Sequence, residues 1–219
     1  TASMLTEIVN YRTQATSAAL FGAVILWGLS EYFIRRRRMV APAIALSVMF
    51  AGNAATGFIA QYAQPFMIAQ EDYSSLPMAL GLSTLALFVF WGRFRVPFAM
   101  ALIALGLFAV ALIVAADQSG VPTELGDLFL LSANGPFAWI TLAVGLLVFA
   151  VAMAFDLSDP HRVTRRSAQG FWLHVVAAPA LVNTIALSLL ERDQGVVLAL
   201  VLGFFALIAI VIDRRSFLI

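Results

Sequence analysis

The sequence predicts an all-α fold, a polytopic membrane helix bundle of about seven transmembrane helices with its N-terminus outside and its C-terminus in the cytoplasm. Three observations carry this expectation. Hydrophobic residues make up 62% of the 219 and charged residues 11%, with a mean hydropathy of +0.95, whereas soluble domains run at about 45–50% apolar and about 25% charged. The apolar residues gather into seven runs of near-spanning length, and the basic residues, all arginine, concentrate in alternate segments between them.

The runs follow in order. Residues 1–13 form a short mixed tail, with Met4, Leu5, Ile8 and Val9 spaced as a weak amphipathic turn, and read as interfacial. No basic n-region or cleavage site accompanies the first run, which is therefore an anchor and not a removable signal. The spans fall at about 14–34, 39–62, 76–91, 96–116, 135–155, 171–190 and 196–212, read as one bundle over 14–212. A helix needs about 20 residues to cross about 30 Å of hydrocarbon. Between the fourth and fifth spans, Pro122-Thr123-Glu124 has the form of a helix start, and Leu125, Leu128, Phe129 and Leu131 are spaced to lie on a membrane surface; a plain loop accounts for them equally well. Asp156 to Gly170 reads as a charged loop. The last residues, 213–219, are a cytoplasmic end whose apolar Phe217-Leu218-Ile219, with a first residue that is not Met, carries the expectation of a fragment and an eighth span.

Arginine sets the direction. A guanidinium is always charged and costly to carry through lipid, so Arg-rich loops stay in the cytoplasm. With seven alternating spans, Arg35, Arg36, Arg37, Arg38, Arg93, Arg95, Arg162, Arg165, Arg166, Arg214 and Arg215 share one side, and Arg12 and Arg192 take the other. The topology anchors are thus Arg35 to Arg38, Arg93, Arg95, Arg165 and Arg166. Trp91, Trp139 and Trp172 fall near span ends as an aromatic belt requires, and Trp27 does not.

Composition and the motifs present exclude several chemistries. No lysine means no retinal Schiff base; no cysteine means no disulfide, thiolate metal site, iron–sulfur cluster or cysteine nucleophile. His-Glu-x-x-His and Gly-x-Ser-x-Gly are absent, and a two-histidine haem site lacks a second intramembrane His, since His161 sits in a loop. Pro179-Ala180-Leu181 matches a tripeptide of intramembrane aspartyl proteases without their paired aspartates. No catalytic residue, metal or cofactor is expected, and the chain reads as non-enzymatic, with no nucleic-acid partner.

Intramembrane polar groups are costly and mark candidate sites. The candidate pore or substrate-lining residues are Asn53, Thr56, His174 and Asn183. For Asn53 and Thr56, within Gly52-Asn53-Ala54-Ala55-Thr56-Gly57, close helix packing is the simpler reading. His174 is either a proton relay or a hydrogen-bonded packing residue. Nine residues separate it from Asn183, which puts the two on opposite faces unless Pro179 kinks the helix. Glu31 lies four residues before Arg35, as a helical ion pair would. Spans one to three and five to seven form two halves if the fourth is a linker, making the second and sixth equivalents, an arrangement known from transporters.

Asp159-Pro160-His161-Arg162, Arg165-Arg166-Ser167, Phe171-Trp172-Leu173-His174 and Ala177-Ala178-Pro179 resemble a group of uncharacterised bacterial multi-pass inner-membrane proteins with a Phe-Trp-Leu-His-x-x-Ala-Ala-Pro helix. The resemblance covers residues 156–215 and implies no activity. In that group the helix carries a second His where this chain has Asn183, and the proteins continue past the Asp-Arg-Arg segment. The resulting expectation is a multi-pass protein of a bacterial inner membrane, a small-solute transporter or channel-like protein. The alternative is a structural or accessory subunit of a larger membrane complex, with the bilayer and other membrane subunits, or a second copy, as partners.

Overall fold

The computed structural model describes residues 2–65, 67–70, 72–120, 125–132, 135–159, 161 and 163–214, the side chains of 2, 3, 5, 68, 69, 125 and 208–214 aside. Among these residues every regular element is helical. The long helices are α1 (Ala2–Ser30), α2 (Val40–Tyr62), α3 (Leu76–Phe94), α4 (Phe98–Ser119), α5 (Phe137–Ser158), α6 (Arg165–Glu191) and α7 (Gly195–Arg214). Six of them, α1 through α6, are long and apolar enough to cross a membrane, and a shorter apolar stretch, Gly195–Leu207 of α7, follows them. The chain is therefore an all-helical, multi-pass membrane protein. Bulky apolar side chains such as Phe21, Val24, Phe88, Leu147 and Leu200 are exposed, as is expected where lipid and not water is the surrounding solvent.

Local chemistry explains the ends. Pro77 occupies the first turn of α3, where its missing N–H costs nothing. Thr164 caps α6 by accepting from the Arg166 N–H at 3.1 Å. Arg95 and Asp193 stop their helices in the left-handed region, at φ +53° and +55°. α1 does not begin at residue 14: it runs through the segment read from sequence as a tail, and it ends in a π-helical turn, Glu31–Arg36, in which the Arg37 N–H reaches the Tyr32 carbonyl at 2.9 Å. The helix start read at Pro122-Thr123-Glu124 and the expected continuation through Phe217-Leu218-Ile219 lie outside the described residues; among the described residues between the fourth and fifth spans the structure has one 3₁₀ turn, Leu125–Leu128.

The chain divides into two compact units, Thr1–Gln118 and Ser119–Ile219, within what the sequence reads as one bundle. In the first, α2 packs against both α1 and α3. Its core is aromatic: Trp27 lies 5.0 Å from Phe94, and Phe90, fully buried, stacks on Phe50 at 4.7 Å between ring centres. That is why Trp27 has no place in a belt. In the second unit α6 packs against both α5 and α7, and Ala152, Leu173, Ala177 and Leu181 fill the α5–α6 seam. α2 in the first unit and α6 in the second thus each pack against both of their sequence neighbours.

Candidate functional site

The turn between α5 and α6 fixes the geometry of the second unit. Asp159, just past α5, accepts from the Thr164 hydroxyl at 2.7 Å, the Thr164 N–H at 2.8 Å and the Val163 N–H at 3.3 Å. The Thr164 hydroxyl, ahead of the opposing cost of burial, and these backbone donors hold the Asp159 carboxyl below the ordinary carboxylate range. With that turn pinned, α6 runs back antiparallel along α5.

Asp156 and His174 meet across this seam. His174 Nε2 lies 2.8 Å from Asp156 Oδ2, with the two side chains 24% and 17% exposed. Two features position the pair. A Cβ on Gly170 would come within 2.6 Å of Asp156 Oδ1, so only glycine leaves room for the carboxylate one turn before His174. The ring of Phe149 meets the imidazole edge-on at 5.3 Å, fixing its plane. A carboxylate only accepts, so a hydrogen must lie between Nε2 and Oδ2. A carboxylate and an imidazole sharing a hydrogen inside a membrane helix pair can pass a proton between them. His174 stands nine residues beyond the start of α6, about 13 Å along the helix at about 1.5 Å per residue.

Asp156 therefore belongs to a helix and not to a charged loop. The cost of keeping it there is offset by a partner 18 residues away on another helix. No local periodicity announces such a pairing; the signals in the sequence are one acid at the end of an apolar run and a glycine placed one turn before a histidine.

The other sequence-selected residues divide. Asn53 Nδ2 donates to the Ala19 carbonyl at 2.8 Å, and its Oδ1 fills the space a Cβ on Gly22 would need. It joins α2 to α1. Thr56 donates back to the Gly52 carbonyl at 2.9 Å and lines a cavity of about 710 Å³ between the N-terminal half of α1 and the C-terminal end of α2. Glu7, Tyr11, Arg12 and Gln64 line the same cavity, and Arg12 Nη2 donates to the Ala63 carbonyl at 2.5 Å. Asn183 is exposed on α6, as is Pro179, and so faces away from the seam that holds His174.

Of the topology anchors, Arg35 and Arg93 converge on one carboxylate. Glu31 accepts from Arg35 at 3.2 Å and from Arg93 at 2.7 Å. The two arginine segments of the first unit therefore lie at the same end of it. Arg165 and Arg166 start α6, beside the Asp159 turn. At the other end of α6 the Leu131 N–H donates to the Ser188 hydroxyl at 3.0 Å, and Ser132 hydrogen-bonds Glu191.

Among the described residues no three His, Cys, Asp or Glu side chains gather as a metal site would require. Compared with family models, curated proteins and solved structures, the chain finds no match, so the reading of the site rests on its own geometry.

Proposed function

We propose that this multi-pass protein is a small-solute transporter or channel-like protein of a bacterial inner membrane, with the Asp156–His174 pair as its proton-handling element. The observation that carries the proposal is that pair itself, an ionisable couple held at 2.8 Å inside the packing of two apolar helices. Ionisable groups paired between membrane helices are rare and mark ion or proton routes. The surroundings leave the couple to itself: Asp159 is spent on Thr164, and α7 offers no titratable side chain over Gly195–Leu207. The cavity at Thr56, with Glu7, Arg12 and Gln64 on an otherwise apolar lining, is of a size suited to a small solute, about 300–1,000 Å³.

The test is proton flux. Full-length protein reconstituted into liposomes with an internal pH dye should dissipate an imposed gradient faster than protein-free liposomes. Asp156→Asn and His174→Gln should each slow that flux by at least about tenfold, in the range expected for losing a positioned proton donor or acceptor. Wild-type flux equal to that of empty liposomes would remove the proton-handling role.

A second reading, an accessory subunit of a membrane complex, is favoured by Asn183. An exposed amide eight residues before the end of a spanning helix is costly against hydrocarbon and is relieved when another helix covers it. Cross-linking from a photoreactive residue at position 183 to a second chain, with no flux in liposomes, would select it.

A further inference from the structure

The arginine end of the first unit holds more than a topology signal. Arg35 to Arg38 leave the π-helical turn of α1, and Arg93 and Arg95 close α3. Glu31, clamped between Arg35 and Arg93, makes these two stretches one surface. It is the lone acid in residues 31–40 and 92–98, against six arginines. The other guanidiniums have neutral partners or none. Arg37 Nε donates to the Tyr32 hydroxyl at 3.1 Å with its guanidinium 5.5 Å from that ring, and Arg95 stacks 4.8 Å from the Trp91 ring. Arg36 and Arg38 are exposed, with no partner among the described residues. Tyr and Trp at the end of a spanning helix mark the headgroup level, so the excess positive charge stands where lipid phosphates are.

We infer that this end of the first unit is a binding surface for anionic phospholipid headgroups, with a headgroup carrying two phosphates the best fit. Guanidinium forks take phosphate oxygens two at a time, and the shared Glu31 holds two arginine segments at a spacing that lets both engage one headgroup. The glutamate also keeps Arg35 and Arg93 from repelling each other while the surface is empty. Acyl chains hold the ligand at the depth of Tyr32 and Trp91, which separates a lipid from free phosphate. The inference is independent of the transport reading.

Native mass spectrometry of the full chain, released from nanodiscs, tests it. The discs contain phosphatidylcholine alone or with added phosphatidylglycerol or cardiolipin, with inorganic pyrophosphate offered separately. Cardiolipin is expected to be retained over phosphatidylglycerol and both over phosphatidylcholine. Arg36→Gln and Arg38→Gln should each weaken retention by about fivefold, as expected for a basic residue at an anionic surface. Glu31→Gln, which unties the two arginine segments, should narrow the preference for cardiolipin over phosphatidylglycerol while both stay preferred over phosphatidylcholine, a split that a merely misfolded variant would not give. Arg192→Gln, in the other unit, should leave it unchanged. Equal retention of phosphatidylcholine, equal loss on Arg192→Gln, or pyrophosphate bound as tightly as cardiolipin would each overturn the assignment.

Discussion

Gly170 stands against Asp156 so closely that a methyl group on its Cα would sit 2.6 Å from Oδ1. Replacing a mid-helix glycine by alanine normally stabilises a helix by up to about 1 kcal/mol. Here Gly170→Ala should do the reverse, because the carboxylate must move and its contact with His174 must open. Overpacking of this kind costs about 1–3 kcal/mol. Thermal unfolding in detergent, with the imidazole NMR signals of His174 as a local probe, should show a lower Tm and a shifted ring environment. An unchanged ring signal with raised stability would mean that the seam is not packed as described.

Asn53→Ala should loosen α1 from α2, since its amide donates to the Ala19 carbonyl across the interface. Hydrogen bonds between membrane helices contribute about 0.6 kcal/mol on average and up to about 1.7. The loss should fall in that range in reversible unfolding. Proton flux in liposomes should persist, because Asn53 packs helices and contacts neither Asp156 nor His174.

The contrast between Asn53 and Asp156 shows what was legible in the sequence. Hydropathy runs and arginine placement are properties of contiguous residues, so the seven helices, the packing role of Asn53 and the Glu31–Arg35 pair can all be read from spacing. Asp156 cannot. Its place inside α5 depends on His174, and a charge at the end of an apolar run looks like a loop until its partner is known. Arg93 reaching Glu31 from another helix, and Trp27 joining Phe94, are invisible for the same reason.

Acid should weaken the α5–α6 turn. The Thr164 hydroxyl, and then the backbone donors, lower the Asp159 carboxyl below the ordinary carboxylate range in the folded chain. A group whose folded value is depressed contributes stability that is complete above its unfolded value, near pH 4, and is lost as pH falls through the folded value. Thr164→Val should therefore reduce stability at neutral pH and flatten its decline below about pH 4. The check is Tm against pH for wild type and variant; parallel curves would contradict the turn's role. Asp72, lowered by the Ser74 hydroxyl and N–H, should add a further acid-sensitive increment in the α2–α3 connection.

Glu31 and Arg93 should be energetically coupled, but weakly. Both side chains are about a third or more exposed, at 34% and 39%, and exposed ion pairs contribute about 0.2–1 kcal/mol. A double-mutant cycle with Glu31→Gln and Arg93→Gln should return a coupling in that range that shrinks as salt is raised. Zero coupling at low salt would mean that the two arginine segments are not tied.

The arrangement of the spans is directly measurable, because the sequence holds no cysteine. Single cysteines at Met39, Gly92, Val163, Ser74 and Gln194 can be probed in intact cells and in inverted membrane vesicles with a membrane-impermeant thiol reagent. A seven-span chain with its arginine-rich turns in the cytoplasm predicts that positions 39, 92 and 163 react only in inverted vesicles and that 74 and 194 react only in intact cells. Reaction of positions 39 and 163 from opposite sides would contradict it.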